Sequence, residues 1–346
     1  MSYNDLSKGI YILHENPEWI PPFAQSFKRA GVEFGEIILT KGSIDIDREP
    51  PQGVFWSRIS ASSHTRDNAF SKEYGRSILS WLQSNNRRVI NGVTVLELEV
   101  SKVRQYLALS KAGFRTPKTI AVFGRADLLA RAKELQTPFI TKHNQGGKGL
   151  GVRRFDSYDE FAEYVESSEF EIPIDGITLL QEYVRSKELF ITRIEFIGGK
   201  FHYAVRVDTS GGAFKLCPAD ACALEDMQQS AQSSKEILPE IAGAACDING
   251  NSGGISKFSL REDISESTPF VKQLEIFLQN HKIEVAGVEF IETQEGELVV
   301  YDINTNTNYN KAVEDSLRAQ GKQAASDRIV EFLREQFNDL NTRQTA

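Results

Sequence analysis

The chain has little cysteine: three in 346 residues, Cys217, Cys222 and Cys246. So sparse and odd a set excludes a disulfide framework as the source of stability. No histidine pair accompanies Cys217 and Cys222, which argues against a zinc site. A basic excess is also lacking. Forty Lys and Arg face 48 Asp and Glu, a net charge of −8, which argues against nonspecific nucleic-acid binding. No apolar run approaches the ~18 residues of a membrane helix. The first residues, MSYNDLSKGIYIL, lack the charged-then-apolar order of a secretory signal. These absences predict a cytoplasmic globular protein with no membrane partner. At 346 residues it is too long for one small core, so two or three lobes are expected.

What is present reads as alternating strands and helices. IYIL (10–13), EIIL (36–39), VFW (54–56) and RVI (88–90) predict strands of an α/β lobe with a mainly parallel sheet. Phe70, Tyr74, Ile78 and Leu82 recur every fourth position and predict an amphipathic helix between the last two. Ser101 caps an expected helix to Ala112, ended by Gly113 and Pro117. Beyond it, TIAVF (119–123), PFIT (138–141) and LLQEYV (179–184) read as strands, ADLLARAKEL and SYDEFAEYVE as surface helices. A strand-rich end follows in LFITRIEFI (189–197), FHYAVRV (201–207), VAGVEFI (285–291) and ELVVYDI (297–303), with helices near 269–280 and 325–337. Residues 209–268, rich in Ser, Gly, Gln, Asp and Glu, are expected to be loops with some helix. The domains expected are 1–98, 99–184 and 185–346.

Two stretches carry chemistry. The first is TKHNQGGKGLGV (141–152). It is not a phosphate loop of the G-x-x-x-x-G-K-[ST] kind, because Gly149 follows Lys148, and its spacing is not G-x-G-x-x-G. It reads as a hairpin turn between PFITK and GVRRF. Such a turn is either plain or a cover for phosphate, since backbone N–H groups approach an anion closely where no Cβ intervenes. Lys142 stands at the end of the incoming strand, where a fixed cation can meet phosphate.

The second stretch is VYDINTNTNYN (300–310). Alternate strand residues share a face, so Asp302 and Asn304 point the same way. If Glu295-Gly296 forms a two-residue turn, Glu289 lies directly across from Asp302. Two carboxylates held ~5 Å apart repel unless a cation sits between them. Glu289, Asp302 and Asn304 offer oxygen ligands suited to Mg²⁺ with phosphate; the alternative is a pair of solvated surface charges.

The glycine loop, LLQEYV and the final DIN, in that order, resemble the ATP-grasp superfamily. The nearer resemblance is to its carboxylate–amine ligases: RimK-type glutamate ligases, glutathione synthetase and D-Ala–D-Ala ligase. It covers about residues 50 to 310. The fold class it implies is α/β with α+β lobes: an N-terminal α/β pre-ATP-grasp domain, a small lid subdomain and a C-terminal antiparallel-sheet lobe. It implies ATP, with Mg²⁺ or Mn²⁺. Lys102 and Lys142 match the family's two phosphate lysines. Gly146, Gly147, Lys148, Gly149 and Gly151 match its glycine loop, with Gly147 where a serine is usual. Gln181, Glu182, Tyr183 and Val184 match the adenine hinge, and Glu188 the acidic residue on ribose. Glu289, Asp302 and Asn304 match the metal ligands.

Arg193 and Arg206 match basic residues near the transferred phosphate; the plain alternative is ion pairing with Glu195 or Asp208. Asn304 is not followed by the family's usual Pro-Gly turn, so the adjoining acceptor pocket is expected to be rebuilt with amides and hydroxyls. The polar run WSRISASSHTRDN (56–68) offers Arg58 through Arg66 as substrate contacts or as a capped surface loop. The implied activity is ATP-dependent ligation of a small-molecule carboxylate to an amine through an acyl phosphate. The alternatives are a small-molecule kinase on the same fold and a nucleotide-binding regulator. Monomer or homodimer is left open.

Overall fold

A computed structural model of the chain describes residues 6–7, 9–147, 149–210 and 257–345. Lys148, the three cysteines and most of the 209–268 stretch lie outside the described residues.

The first sheet holds β1 (Gly9–His14), β2 (Gly35–Ile38), β3 (Gly53–Arg58) and β4 (Arg88–Ile90), in the order β2-β1-β3-β4 and all parallel. Strand β3 is buried at every position, as a parallel strand covered on both faces must be. Helix α1 (Pro21–Ala30) connects β1 to β2, and α2 (Ser71–Ser84) connects β3 to β4. Phe70 is not on the buried face expected for it. It precedes the first turn of α2 and is 82% exposed, while Ile78, Leu79 and Leu82 carry the packing.

Helices α3 (Val93–Glu99) and α4 (Lys102–Lys111) lead to a second sheet. Ser101 caps α4 as expected, accepting from the Arg104 N–H. The second sheet contains β5 (Thr119–Phe123), β6 (Phe139–His143), β7 (Arg153–Phe155) and β8 (Ile177–Glu182), antiparallel, in the order β5-β8-β6-β7. ADLLARAKEL shrinks to a short helix, α5 (Leu128–Ala132), which lacks a side-chain cap. Helix α6 (Tyr158–Glu166) is capped by Ser157. Its Phe161 meets Phe139 and Phe155 edge-on and closes a small aromatic core.

The third sheet has five strands, one more than expected: β9 (Phe190–Ile197), β10 (Lys200–Asp208), β11 (Phe258–Leu260), β12 (Val285–Glu292) and β13 (Leu298–Asn304). Their order is β11-β10-β9-β12-β13, antiparallel throughout. The added strand falls inside the 209–268 stretch expected to be loop and helix. One face, with Ile194, Phe196, Val288 and Phe290, packs on α7 (Pro269–Asn280). The other, with Ile191, Ile197 and Ile291, packs toward the first sheet. After α8 (Lys311–Ala319), the long helix α9 (Ala325–Thr345) shares that core through Ile329, Val330 and Leu333, beside Phe23 and Trp56.

The β12–β13 hairpin pairs Glu289 with Asp302, but not through the turn expected. Next to the turn, Glu292 faces Leu298 and Phe290 faces Val300, one residue short of the assumed frame. Thr293 and Glu297 close a three-residue loop in which Gly296 adopts φ +84°. A bulge between Glu289 and Phe290, opposite Tyr301, then restores the frame.

His202 on β10 lies near the backbone of Gln323 and Ala324, with Nε2 buried and unpartnered. Burial lowers its pKa from 6.5 to about 4, and Arg328 adds to the effect. Below about 6.5 the unfolded chain binds a proton that the folded chain refuses down to about 4. Stability is therefore expected to fall as pH drops through that window. His202→Gln should flatten the slope in urea unfolding; an unchanged slope would reject this assignment.

Candidate active site

A cleft of about 1020 Å³, solvent at its mouth included, opens between the second and third sheets. Twelve of the residues anticipated from sequence line it: Lys102, Lys142, Gly146, Gly147, Gly149, Gln181, Glu182, Tyr183, Val184, Glu289, Asp302 and Asn304. At one end Pro117, Ile140, Val152, Val184, Ile191 and Ile291 form an apolar slot. A cleft with this mix of apolar and charged lining suits a small organic ligand that carries a polar end. Strand β8 ends at Glu182, so the backbone of 183–184 runs past the sheet beside this slot. Gln181 is tied down by donating to Thr119 Oγ1 at 2.8 Å, and Glu182 accepts from Arg115.

The polar end carries alternating charge. Lys102 Nζ donates to Asp302 Oδ1 at 2.5 Å. Arg193 donates to Glu195 at 2.6 Å through Nε and to Glu289 at 3.1 Å through Nη1. Tyr301, turned onto this face by the bulge, donates to Glu289 Oε2 at 2.8 Å, and Asn304 Nδ2 donates to Oε1 at 3.2 Å. Burial pushes Glu289 upward in pKa, Arg193 pulls it down, and the neighbouring Asp302 adds to the rise. Burial acts in the same sense on Asp302, but Lys102 and Lys142 outweigh it and hold its carboxyl low. Burial raises Glu195 to about 7 despite Arg193.

Among the described residues no three His, Cys, Asp or Glu side chains gather to hold a metal on their own. Two carboxylates and an amide, with lysines and an arginine neutralising them, suit instead a hard cation that shares its shell with phosphate oxygens. The donor set fits Mg²⁺ in that role.

The glycine loop joins β6 to β7 as a hairpin. Gly149 and Gly151 take φ +77° and +65°, and the His143 ring occupies the space a Cβ on Gly151 would need. Gly151 therefore shapes the loop from behind and does not line the cleft. Asn144, at the loop's base, accepts from the N–H of Lys102 and, through Oδ1, from the N–H of Val103 at 2.9 Å. The loop is thus bonded to the first turn of the helix that carries Lys102.

No family model matches the sequence. A curated relative, the alpha-aminoadipate–LysW ligase LysX of Sulfurisphaera tokodaii, is 32% identical over 112 residues, or 32% of this chain. The match spans only 39% of that relative's length. Solved structures align over nearly the whole chain. The RimK-domain ATP-grasp protein of Sphaerobacter thermophilus has a TM-score of 0.58 at 15% identity, covering 94% of this chain and 99% of its own. The D-Ala:D-Ser ligase VanG of Enterococcus faecalis has 0.61 at 12%, covering 96% and 100%. The ATP-grasp ligase PsnB, solved with a minimal precursor, Mg and ADP, has 0.57 at 12%, covering 95% and 97%.

The chain has the ATP-grasp fold.

Within this ATP-grasp frame, several anticipated residues are not brought to the cleft. Register pairs Val205 with Arg193 and Arg206 with Thr192, so the two arginines stand on opposite faces of the third sheet. Arg206 lies over the Phe190 ring and 3.9 Å from Glu188, and both of these charged side chains are largely exposed. Neither Glu188 nor Arg206 lines the cleft. Arg58, considered as a substrate contact, is wholly buried among Trp19, Phe23 and Trp56. It donates to the Trp19 and Thr307 carbonyls and to Asn308 Oδ1 at 2.7 Å. It braces the loop after β13 from behind. Burial lowers its pKa to about 10.

A second, polar cavity of about 590 Å³ adjoins the charged end of the ATP-grasp cleft. Ser60 and Ser62 from the loop after β3, Glu99, Gln105, Arg193 and Asn306, Thr307 and Asn308 contribute to its wall. Amides and hydroxyls were expected here; Glu99 and Gln105 were not. Gln105 accepts from the Ile303 N–H and donates to its carbonyl, which fixes β13 between Asp302 and Asn304. Its only signal in the sequence was its place on α4, one turn after Lys102.

Arg58→Ala should cost on the order of 3 kcal/mol in urea unfolding, because it leaves buried carbonyls unpaired. A loss below 1 kcal/mol would show the loop does not need it. Gly287 lies under the Arg193 guanidinium, and an added Cβ would come within 2.6 Å of Nε. Gly287→Ala should displace Arg193 and lower kcat at least tenfold with the fold retained by circular dichroism; full activity would contradict this packing.

Proposed function

We propose that the protein is an ATP-dependent carboxylate–amine ligase working through an acyl phosphate. One observation carries the reading: the ATP-grasp cleft and the second cavity share Lys102, Gly146, Gly147, Asp302 and Asn304. A nucleotide laid with its base in the apolar slot would present its terminal phosphate at that shared wall. A carboxylate at that shared wall would then meet it, with the rest of the second cavity left for the amine. A regulator without chemistry needs no second cavity there. The ligase names of the relatives favour amide formation over phosphorylation of a hydroxyl.

Residue roles follow from position. Gln181 through Val184 would hold the base, and Gly146, Gly147 and Gly149 would cover the phosphates with backbone N–H groups. Lys102, Lys142 and Arg193 would stabilise charge on the transferred group. Glu289, Asp302 and the amide oxygen of Asn304 would hold Mg²⁺, which neutralises phosphate charge when bound. The substrate carboxylate attacks the γ-phosphorus and ADP leaves. The amine then attacks the acyl carbon, and phosphate leaves. Residues 1–98 would supply acceptor contacts, 99–184 the nucleotide cover and 185–346 the metal wall. The site of action proposed is the cytoplasm; among the described residues no helix is long and apolar enough to cross a membrane.

Purified protein with Mg²⁺, ATP and amino-acid pools should release ADP and form a product of mass acid plus amine minus water. Lys142→Ala should lose at least a hundredfold in ADP release. A product heavier by one phosphate would move the reading to a kinase.

A further inference from the structure

The second cavity contains a carboxylate that the reaction above does not use. Glu99 ends helix α3, three residues before Lys102. Its Oε2 accepts from the backbone N–H and the hydroxyl of Thr305, each at 2.8 Å. That fixes the side chain at the cavity wall. Among the described residues it makes no ion pair, and the cation whose charge reaches it, Lys102, is bonded to Asp302. Burial pushes its pKa upward, and the Thr305 donors work against this. A half-buried carboxylate without a cation is unfavourable, and a ligand that brings one is favoured there.

The other charges of the wall are committed. Arg193 is bonded to Glu195, Glu289 and Thr307. Glu195 does not line this cavity and already has a cation: its Oε1 accepts from Arg193 and its Oε2 from Thr307. What remains in the wall is neutral: the Ser60 and Ser62 hydroxyls and the Asn306 amide, whose Oδ1 is buried without a partner.

We propose that Glu99 binds the ammonium group of the amine substrate, so that the cavity takes a primary amine whose remaining groups are uncharged hydrogen-bonders. The proposal rests on the ligase reading. It makes Glu99 a specificity residue placed beside the wall where the acyl phosphate would form. A carboxylate at that point accepts from an ammonium by charge-assisted hydrogen bonds, roughly twice as strong as neutral ones. Before attack the ammonium gives one proton to Glu99; the neutral nitrogen then bonds the acyl carbon, and its second proton leaves with the phosphate.

The test compares wild type, Glu99→Gln and Glu99→Asp with Mg²⁺, ATP, amino acids and dipeptides as acid donors, and a pool of amino alcohols and amino-acid amides as amines, with and without hydroxylamine. Hydroxylamine is largely uncharged at neutral pH and intercepts an acyl phosphate with no ammonium to bind. The Gln variant keeps an oxygen for Thr305, so the loop after β13 stays held. Expected is a rise of at least tenfold in the KM for the amine in Glu99→Gln, partial recovery in Glu99→Asp, and hydroxamate formation within threefold of wild type. An unchanged amine KM in Glu99→Gln overturns the assignment while hydroxamate leaves the ligase reading standing. Parallel loss of amide and hydroxamate would make Glu99 a support for the loop and overturn it as well. No amide and no hydroxamate from wild type would remove the ligase reading, and the assignment with it.

Discussion

The arrangement of the site depends on buried carboxylates that must not be left without cations. Glu289 and Asp302 face each other on one hairpin, Glu289 buried and Asp302 partly so. Two carboxylates so placed repel, and burial adds a desolvation cost, so each is matched by a cation. Lys102 reaches Asp302 from α4, and Arg193 reaches Glu289 from β9. Each ion pair therefore joins two elements as well as two charges. The third sheet and the α3–α4 connection are held in register by the groups that would meet metal and phosphate. A bound cation and a phosphate would exchange these pairs for new ones of the same sign pattern.

The glycine loop is coupled to this network through Asn144. Its carbonyl and side-chain oxygen take N–H groups from Lys102 and Val103, which would otherwise be orphan donors at the start of α4. Its amide also donates to Asp175 at 2.6 Å. The base of the loop is thus tied to the base of Lys102. On the far side Gln145 donates to the Ala61 carbonyl of the first lobe. The second cavity is closed by segments from all three regions, and Arg58 secures one wall from beneath.

Much of the fold was legible because its signals are local. Nearly every strand in the described residues coincides with an apolar run, and Ser101 caps the helix it precedes. The departures have local causes as well. Phe70 belongs to the apolar spacing but sits before the first helical turn, and periodicity does not say where a helix starts. The pairing of Glu289 with Asp302 came from a wrong turn whose error a bulge at Tyr301 cancels, so agreement there tested the pair and not the hairpin.

The sequence by itself determined the composition of the site: which lysines, glycines, carboxylates and amides it has, and the strands and turns they ride on. Spacing of a few residues sets strand face and helix cap, and these need no distant partner. Only the tertiary structure decided which of those residues meet. Arg193 and Arg206 look equivalent along the chain, yet the register of β9 with β10 puts them on opposite faces. Arg58 and Glu99 carry no motif. One is buried among aromatic rings and the other is set in a cavity wall by Thr305, a residue more than two hundred positions away. Burial and ion pairing are properties of packing between distant segments, and no short-range pattern encodes them.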